Sequence, residues 1–199
     1  MAATHEPGTG TDVGPTVVSD RLTLRLLAPA DVPAVLAYQV ANAAHLAPTS
    51  PLPPPGYLTE AFWRERAERD RADAAADRAV RFFLFPNGEP GRVVGNLALN
   101  NITRGAAFYC DLGYALAADR QGQGLMGAAV AAAVHYAFAE LGLHRVKAAY
   151  LPGNDRSGRL LRRLGFAVEG YARDYLLIEG RWQDHVLVGR TNPDWLPPA

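Results

Sequence analysis

Leu22, Leu24 and Leu26 alternate with Arg21, Thr23 and Arg25, and this period of two predicts a half-buried strand. Pro29 ends it, and Asp31 is placed to cap a short helix running to about Val40. Between Ala47 and Tyr57 lie five prolines and a glycine, a composition that predicts a surface loop. A second helix is expected from Thr59 to about Asp77, with Ala61, Phe62, Ala67 and Ala74 as a narrow apolar stripe on a charged surface. From Val80 the pattern becomes strand-like. Arg81–Phe85, Val93–Asn101 and Ala106–Ala115 are separated by turn signals at Asn87-Gly88 and Arg104-Gly105, which suits antiparallel neighbours. A helix apolar on nearly every side follows from about Gly124 to Leu141, so it should pack deeply on a sheet. Arg145–Leu151 reads as a strand and Asp155–Leu164 as a short helix stopped by Gly165. Phe166–Ile178 and Trp182–Arg190 read as a final hairpin across Glu179-Gly180.

Chain length adds that 16–199 forms one domain behind a Gly/Thr/Pro-rich tail, Met1 to Pro15. That tail lacks the basic start and apolar run of a signal peptide. No stretch approaches the roughly 18 to 20 apolar residues that span a bilayer, so a cytoplasmic protein is expected. Lys+Arg and Asp+Glu each total 20, and no net field draws the chain to nucleic acid or an anionic membrane. The single cysteine, Cys110, excludes an internal disulfide framework, and the five histidines show no metal-ligand spacing, so no metal is expected.

Gly122-Gln123-Gly124-Leu125-Met126-Gly127 follows a strand and opens a helix, spelling G-x-G-x-x-G. Such a loop turns tightly and leaves N–H groups free to solvate a phosphate. A nicotinamide fold would also need parallel βαβ units and an acid about 20 residues on. Here the preceding strands read as antiparallel, and His144–Tyr150 ends without an acid. That reading fails.

Asp119-Arg120-Gln121-Gly122-Gln123-Gly124 instead resembles the Q/R-x-x-G-x-G/A loop of the Gcn5-related N-acetyltransferase family. The element order is similar to that family's, as is Asn154-Asp155-Arg156-Ser157 followed by Leu160, Leu161, Leu164, Gly165 and Phe166. From Leu22 to Trp195 the chain is most similar to the branch that acetylates the N-terminal alanine of ribosomal proteins. The likeness is densest in Asp174–Leu187 and Pro193-Asp194-Trp195.

The resemblance implies an α/β fold with a mixed, mainly antiparallel sheet of about seven strands flanked by about four helices. It implies acetyl-CoA as co-substrate, held by Leu112, Gly113, Tyr114, Gln121, Gly122, Gln123, Gly124, Leu125, Met126, Asn154 and Ser157. The acceptor it implies is the α-amine of a protein, possibly ribosomal. A small amine (antibiotic, polyamine or amino acid) and a non-catalytic acyl-CoA sensor are the alternatives, and the oligomeric state stays open between monomer and homodimer.

Two positions depart from the pattern. Asp119 replaces the usual Gln or Arg, so its carboxylate should point away from the pyrophosphate. Met126-Gly127-Ala128-Ala129 lacks the glutamate of the branch's Met-x-Glu-Ala; if that carboxylate supports catalysis in relatives, this chain does without it or uses another group.

Asp111, just before Leu112-Gly113-Tyr114, is the first candidate base, against a cross-strand role. Asp184 is its rival, or a ligand for the amine. Ser157 could return a proton to the leaving thiolate or could cap its helix, and Tyr150 is a further donor. Phe62, Trp63, Tyr175 and Trp182 are candidate acceptor walls. Arg156, Arg159 and Arg163 share one helical face, either solvated or facing a cofactor phosphate. Cys110 has no histidine beside it and is not expected to carry an acyl group.

Overall fold

The computed structural model describes residues 14–89 and 91–198. The expected tail therefore falls almost entirely outside the described residues. Strands β1 (Thr16–Val18) and β2 (Leu22–Arg25) are followed by α1 (Val32–Leu46) and α2 (Glu60–Ala75). Then come β3 (Val80–Pro86), β4 (Gly95–Thr103), β5 (Tyr109–Leu116), α3 (Leu125–Ala139), β6 (Arg145–Tyr150), α4 (Asp155–Arg163), β7 (Ala167–Ile178) and β8 (Arg181–Thr191).

All the strands join one eight-stranded sheet, ordered β1-β2-β3-β4-β5-β6-β8-β7. Every pairing is antiparallel except β5 with β6. The extra strand over the expected seven is β1, whose three residues are too few to show an alternating pattern.

Alternation along the strands gives the sheet two faces. Leu97, Leu99, Cys110, Leu112, Val146, Ala148 and Val188 pack with Leu125, Met126, Ala129, Val130 and Ala133 of α3. Phe83 and Phe85 pack on the opposite face with Val32, Val35 and Tyr38 of α1 and with Trp63 and Ala67 of α2.

Helix α2 turns inward on Trp63, Ala67 and Asp70, while Ala61 is exposed, so the expected stripe is rotated. Asp70 is buried against Arg66 (2.7 Å) and Arg81 (3.0 Å), and Arg81 also holds Asp73 at 2.6 Å. Burial pushes the Asp70 carboxyl up and the two arginines pull it back. Asp31 stands at the N-cap position of α1, but its side chain makes no bond to that helix. Its carboxylate takes the N–H of Ala28 (2.9 Å) and a two-pronged bond from Arg25. The helix then runs on to Leu46 through residues with little to stop it, Ala41, Ala43 and Ala44 among them.

Candidate active site

The site begins where two strands part. Register between β5 and β6 runs from Tyr109↔Arg145 to Leu112↔Ala148 and stops there. Beyond it β6 stays with β8 as far as Tyr150↔Val186. The end of β5 is held the other way: Ala117 donates its N–H to Val94 (2.8 Å), and Ala118 donates to Asn42 Oδ1 on α1 (2.9 Å). Among the described residues, Gly113–Leu116 therefore have no partner strand on their β6 side. A cleft of about 1300 Å³ opens there, between the start of α3 and the start of α4.

At the α3 end the chain turns through Gly122 (φ +75°) and Gly124 (φ +76°), left-handed positions that favour glycine. The first amide of this segment to find a backbone partner is that of Ala128, which donates to Gly124. Among the described residues the N–H groups from Gly122 to Gly127 have no acceptor. This array, at the positive end of a helix, suits an anion.

Side chains brace the loop from outside. Arg21 donates to the Gln123 carbonyl, and Gln123 Nε2 donates to the Asp119 carbonyl at 3.0 Å. The Asp119 carboxylate lies 2.7 Å from Arg92, consistent with its turning away from the N–H array. Gln121 joins two walls of the cleft. Its amide donates to His45 Nε2 of α1 (2.9 Å), and its oxygen accepts from Arg156 of α4.

At the other end Asn154 caps α4, its Oδ1 accepting the Ser157 N–H at 3.1 Å. The cap is thus Asn154, and the Ser157 hydroxyl is free for other work. It lies 2.6 Å from the Tyr114 hydroxyl across the cleft. Burial pushes the Tyr114 phenol above the ordinary tyrosine range, and the Ser157 bond opposes this less strongly. The pair stays neutral and can donate.

Leu125, Met126, Asn154, Ser157 and Tyr114 all line the cleft with Gln121, Gly122 and Gly124. Arg156, Arg159 and Arg163 stand along its α4 wall and do not face only solvent. Other candidates are placed elsewhere. Asp111 is a cross-strand partner: Oδ1 is 3.2 Å from Lys147 Nζ, and Oδ2 accepts from Asn101 Nδ2 at 2.9 Å. Asp184 secures a bulge in the final hairpin, accepting from the Asp174 N–H (2.9 Å) and the Tyr171 hydroxyl (2.7 Å). Those two bonds hold its carboxyl below the usual range.

Trp63 is a core residue, 4% exposed among Tyr57, Phe62 and Phe83, and cannot wall an acceptor site. Trp182 and Tyr175 are exposed on the hairpin outside the cleft lining. The Tyr150 ring lies against Gly158, 3.0 Å from where a Cβ there would stand. Cys110 is buried, and burial pushes its thiol up to about 12, which leaves no thiolate for nucleophilic work.

Sequence reasoning missed His45, Thr49, Ser50 and Gln183, which also line the cleft. The proline-rich loop carried the signal for two of them. It folds against the last hairpin, where the Glu179 N–H donates to the Ser50 carbonyl at 3.1 Å.

A family model described as an acetyltransferase (GNAT) domain matches residues 21–167. The chain belongs to the GNAT acetyltransferase family. This GNAT chain is 39% identical over 181 residues to the ribosomal protein uS5-alanine N-acetyltransferase of Escherichia coli K12, covering 91% of this chain and 93% of that relative. Among solved structures it is similar to the ribosomal-protein-S5-alanine acetyltransferase of Vibrio fischeri (TM-score 0.86, 32% identity, 92% of this chain and 99% of that one). It is also similar to Mycobacterium smegmatis RimJ in complex with CoA-disulfide (TM-score 0.80, 31% identity, 89% and 85% coverage). The sheet and helices described above form the GNAT fold, and the protein is an N-acetyltransferase. Among the described residues no helix is long and apolar enough to cross a membrane, and no group of three or more His, Cys, Asp or Glu is placed to hold a metal ion.

Proposed function

We propose that this enzyme moves an acetyl group from acetyl-CoA to the N-terminal α-amine of a protein, a ribosomal protein in the first instance, by direct attack. The observation that carries the acetyl-CoA half is the cleft itself. It has unpartnered N–H groups from Gly122 to Gly127 at one end and the Tyr114–Ser157 hydroxyl pair at the other. The acceptor half is supported by the relatives, two of which are named for alanine acetylation of ribosomal protein S5.

Acetyl-CoA supplies an acetyl group already activated as a thioester. The N–H groups of the α3 loop would hold its pyrophosphate, with Arg156, Arg159 and Arg163 adding positive charge along the wall. The backbone amides of Tyr114 and Leu116, which alternation turns to the unpaired side of β5, would be available to polarise a carbonyl. Ser157, in contact with Tyr114, would give its proton to the leaving sulfur and regain one through the tyrosine. Holding the amine and carbonyl together can itself supply several kcal/mol, up to about 7 to 11.

An α-amine has a pKa of roughly 8, so a useful fraction is already unprotonated at neutral pH and water can take the proton. Asp111 is not needed for that step, since Lys147 and Asn101 already engage both of its oxygens.

The test is thiol release from acetyl-CoA with a panel of peptides beginning Ala, Ser or Leu beside spermidine and free amino acids. Turnover on Ala- and Ser-starting peptides is expected. Turnover on the small amines alone would replace the proposed acceptor, and none on any amine would indicate a sensor.

A further inference from the structure

Gly113 is a glycine that neither backbone nor packing explains. Gly122 and Gly124 need left-handed φ, whereas Gly113 is not among the positive-φ residues. Gly95 on the neighbouring strand has a steric reason, since a Cβ there would lie 2.5 Å from the Ala115 carbonyl oxygen. Among the described residues a Cβ on Gly113 would meet nothing within 4 Å, although the residue sits inside the sheet. Glycine in a strand interior weakens the strand and leaves its surface bare.

The bare side can be assigned. Leu112 belongs to the core shared with α3, and Tyr114 reaches Ser157 of α4, so alternation turns the side-chain position of Gly113 to the α1–α2 face. Ala98 stands opposite it in register on β4. The same face carries Asn96, whose Oδ1 is 3.4 Å from the Tyr38 hydroxyl, and Asp111 with Lys147. Along one side of Gly113 the sheet is open, because β6 has already parted. The cleft reaches this face too, since Ala115, His45, Thr49 and Ser50 line it.

Under the proposed function, the α3 loop and the Tyr114–Ser157 pair occupy the other face. That leaves the α1–α2 face, at the parting of the strands beside Gly113, for the amine. We infer that Gly113, with Ala98 beside it, forms the floor that receives the side chain of the acceptor's first residue, and so limits the enzyme to polypeptides that begin with a small residue. This rests on the proposed function, because it supposes a polypeptide acceptor.

The test compares the unaltered enzyme with Gly113→Ala and Gly113→Val on peptides identical except for a first residue of Gly, Ala or Val. Acetyl-CoA affinity is measured by calorimetry alongside. Affinity should change less than about twofold. Gly113→Val should lower kcat/KM on the Ala peptide at least tenfold and on the Gly peptide less than threefold, with Gly113→Ala in between (orders of magnitude for one or two methyl groups in a fitted site). Equal loss on all peptides, or a matching loss of acetyl-CoA affinity, would overturn the inference alone. An unaltered enzyme that acetylates none of the peptides would overturn the proposed acceptor and this inference together.

Discussion

Gly122→Val is expected to weaken acetyl-CoA binding about a hundredfold while leaving the melting temperature nearly unchanged. Gly122 sits at φ +75°, and a Cβ there would meet nothing within 4 Å among the described residues. The penalty is conformational. A β-branched residue held in a left-handed position costs on the order of 1–3 kcal/mol, and each 1.4 kcal/mol is about a factor of ten in affinity. In the free protein this exposed loop can relax, so the cost falls on binding, when the N–H groups must be brought back to face the pyrophosphate. Calorimetry with acetyl-CoA checks it. Normal affinity in the variant would show that the Gly122–Gly127 amides do not hold the phosphates.

Ser157→Ala is expected to cut kcat about a hundredfold at unchanged acetyl-CoA affinity, the lower range for loss of a positioned acid. Two features set the size of the effect. Asn154 already caps α4, so alanine at 157 removes no cap and keeps its own N–H bond. The hydroxyl lost is the one within 2.6 Å of Tyr114, leaving the phenol unpartnered in a largely buried position. Tyr114→Phe should cost less, because Ser157 remains to meet the sulfur. A single-turnover measurement with saturating acetyl-CoA separates chemistry from binding. The reverse order, with Tyr114→Phe the more damaging, would make the phenol the donor and Ser157 its support.

The parts of this molecule that were legible in the sequence are those in which one residue's neighbours along the chain decide its state. Alternation located β3, β4 and β5 near their observed bounds, and the glycine loop marked the start of α3. Asp119, the departure from the loop pattern, pairs with Arg92.

What was illegible depends on partners distant in sequence. The parting of β5 from β6 is a property of register, set by Val94, Asn42 and β8, and no pattern within β5 announces it. The inward face of α2 is centred on Trp63, Ala67 and Asp70. A search for apolar residues passes over an aspartate that is buried because Arg66 and Arg81 come to meet it. Asp111 and Asp184 looked like chemistry because carboxylates near a site invite that reading. Their partners, Lys147 across one ladder and Asp174 across another, appear only once the strands are paired.

The most direct test of the account is to locate the acetyl group. The enzyme is given acetyl-CoA and a peptide that starts with alanine and carries one internal lysine, and the product is sequenced by tandem mass spectrometry. A single acetyl on the α-nitrogen of the alanine is expected, formed in step with thiol release. Acetyl on the lysine side chain, or thiol release with an unmodified peptide, would contradict it.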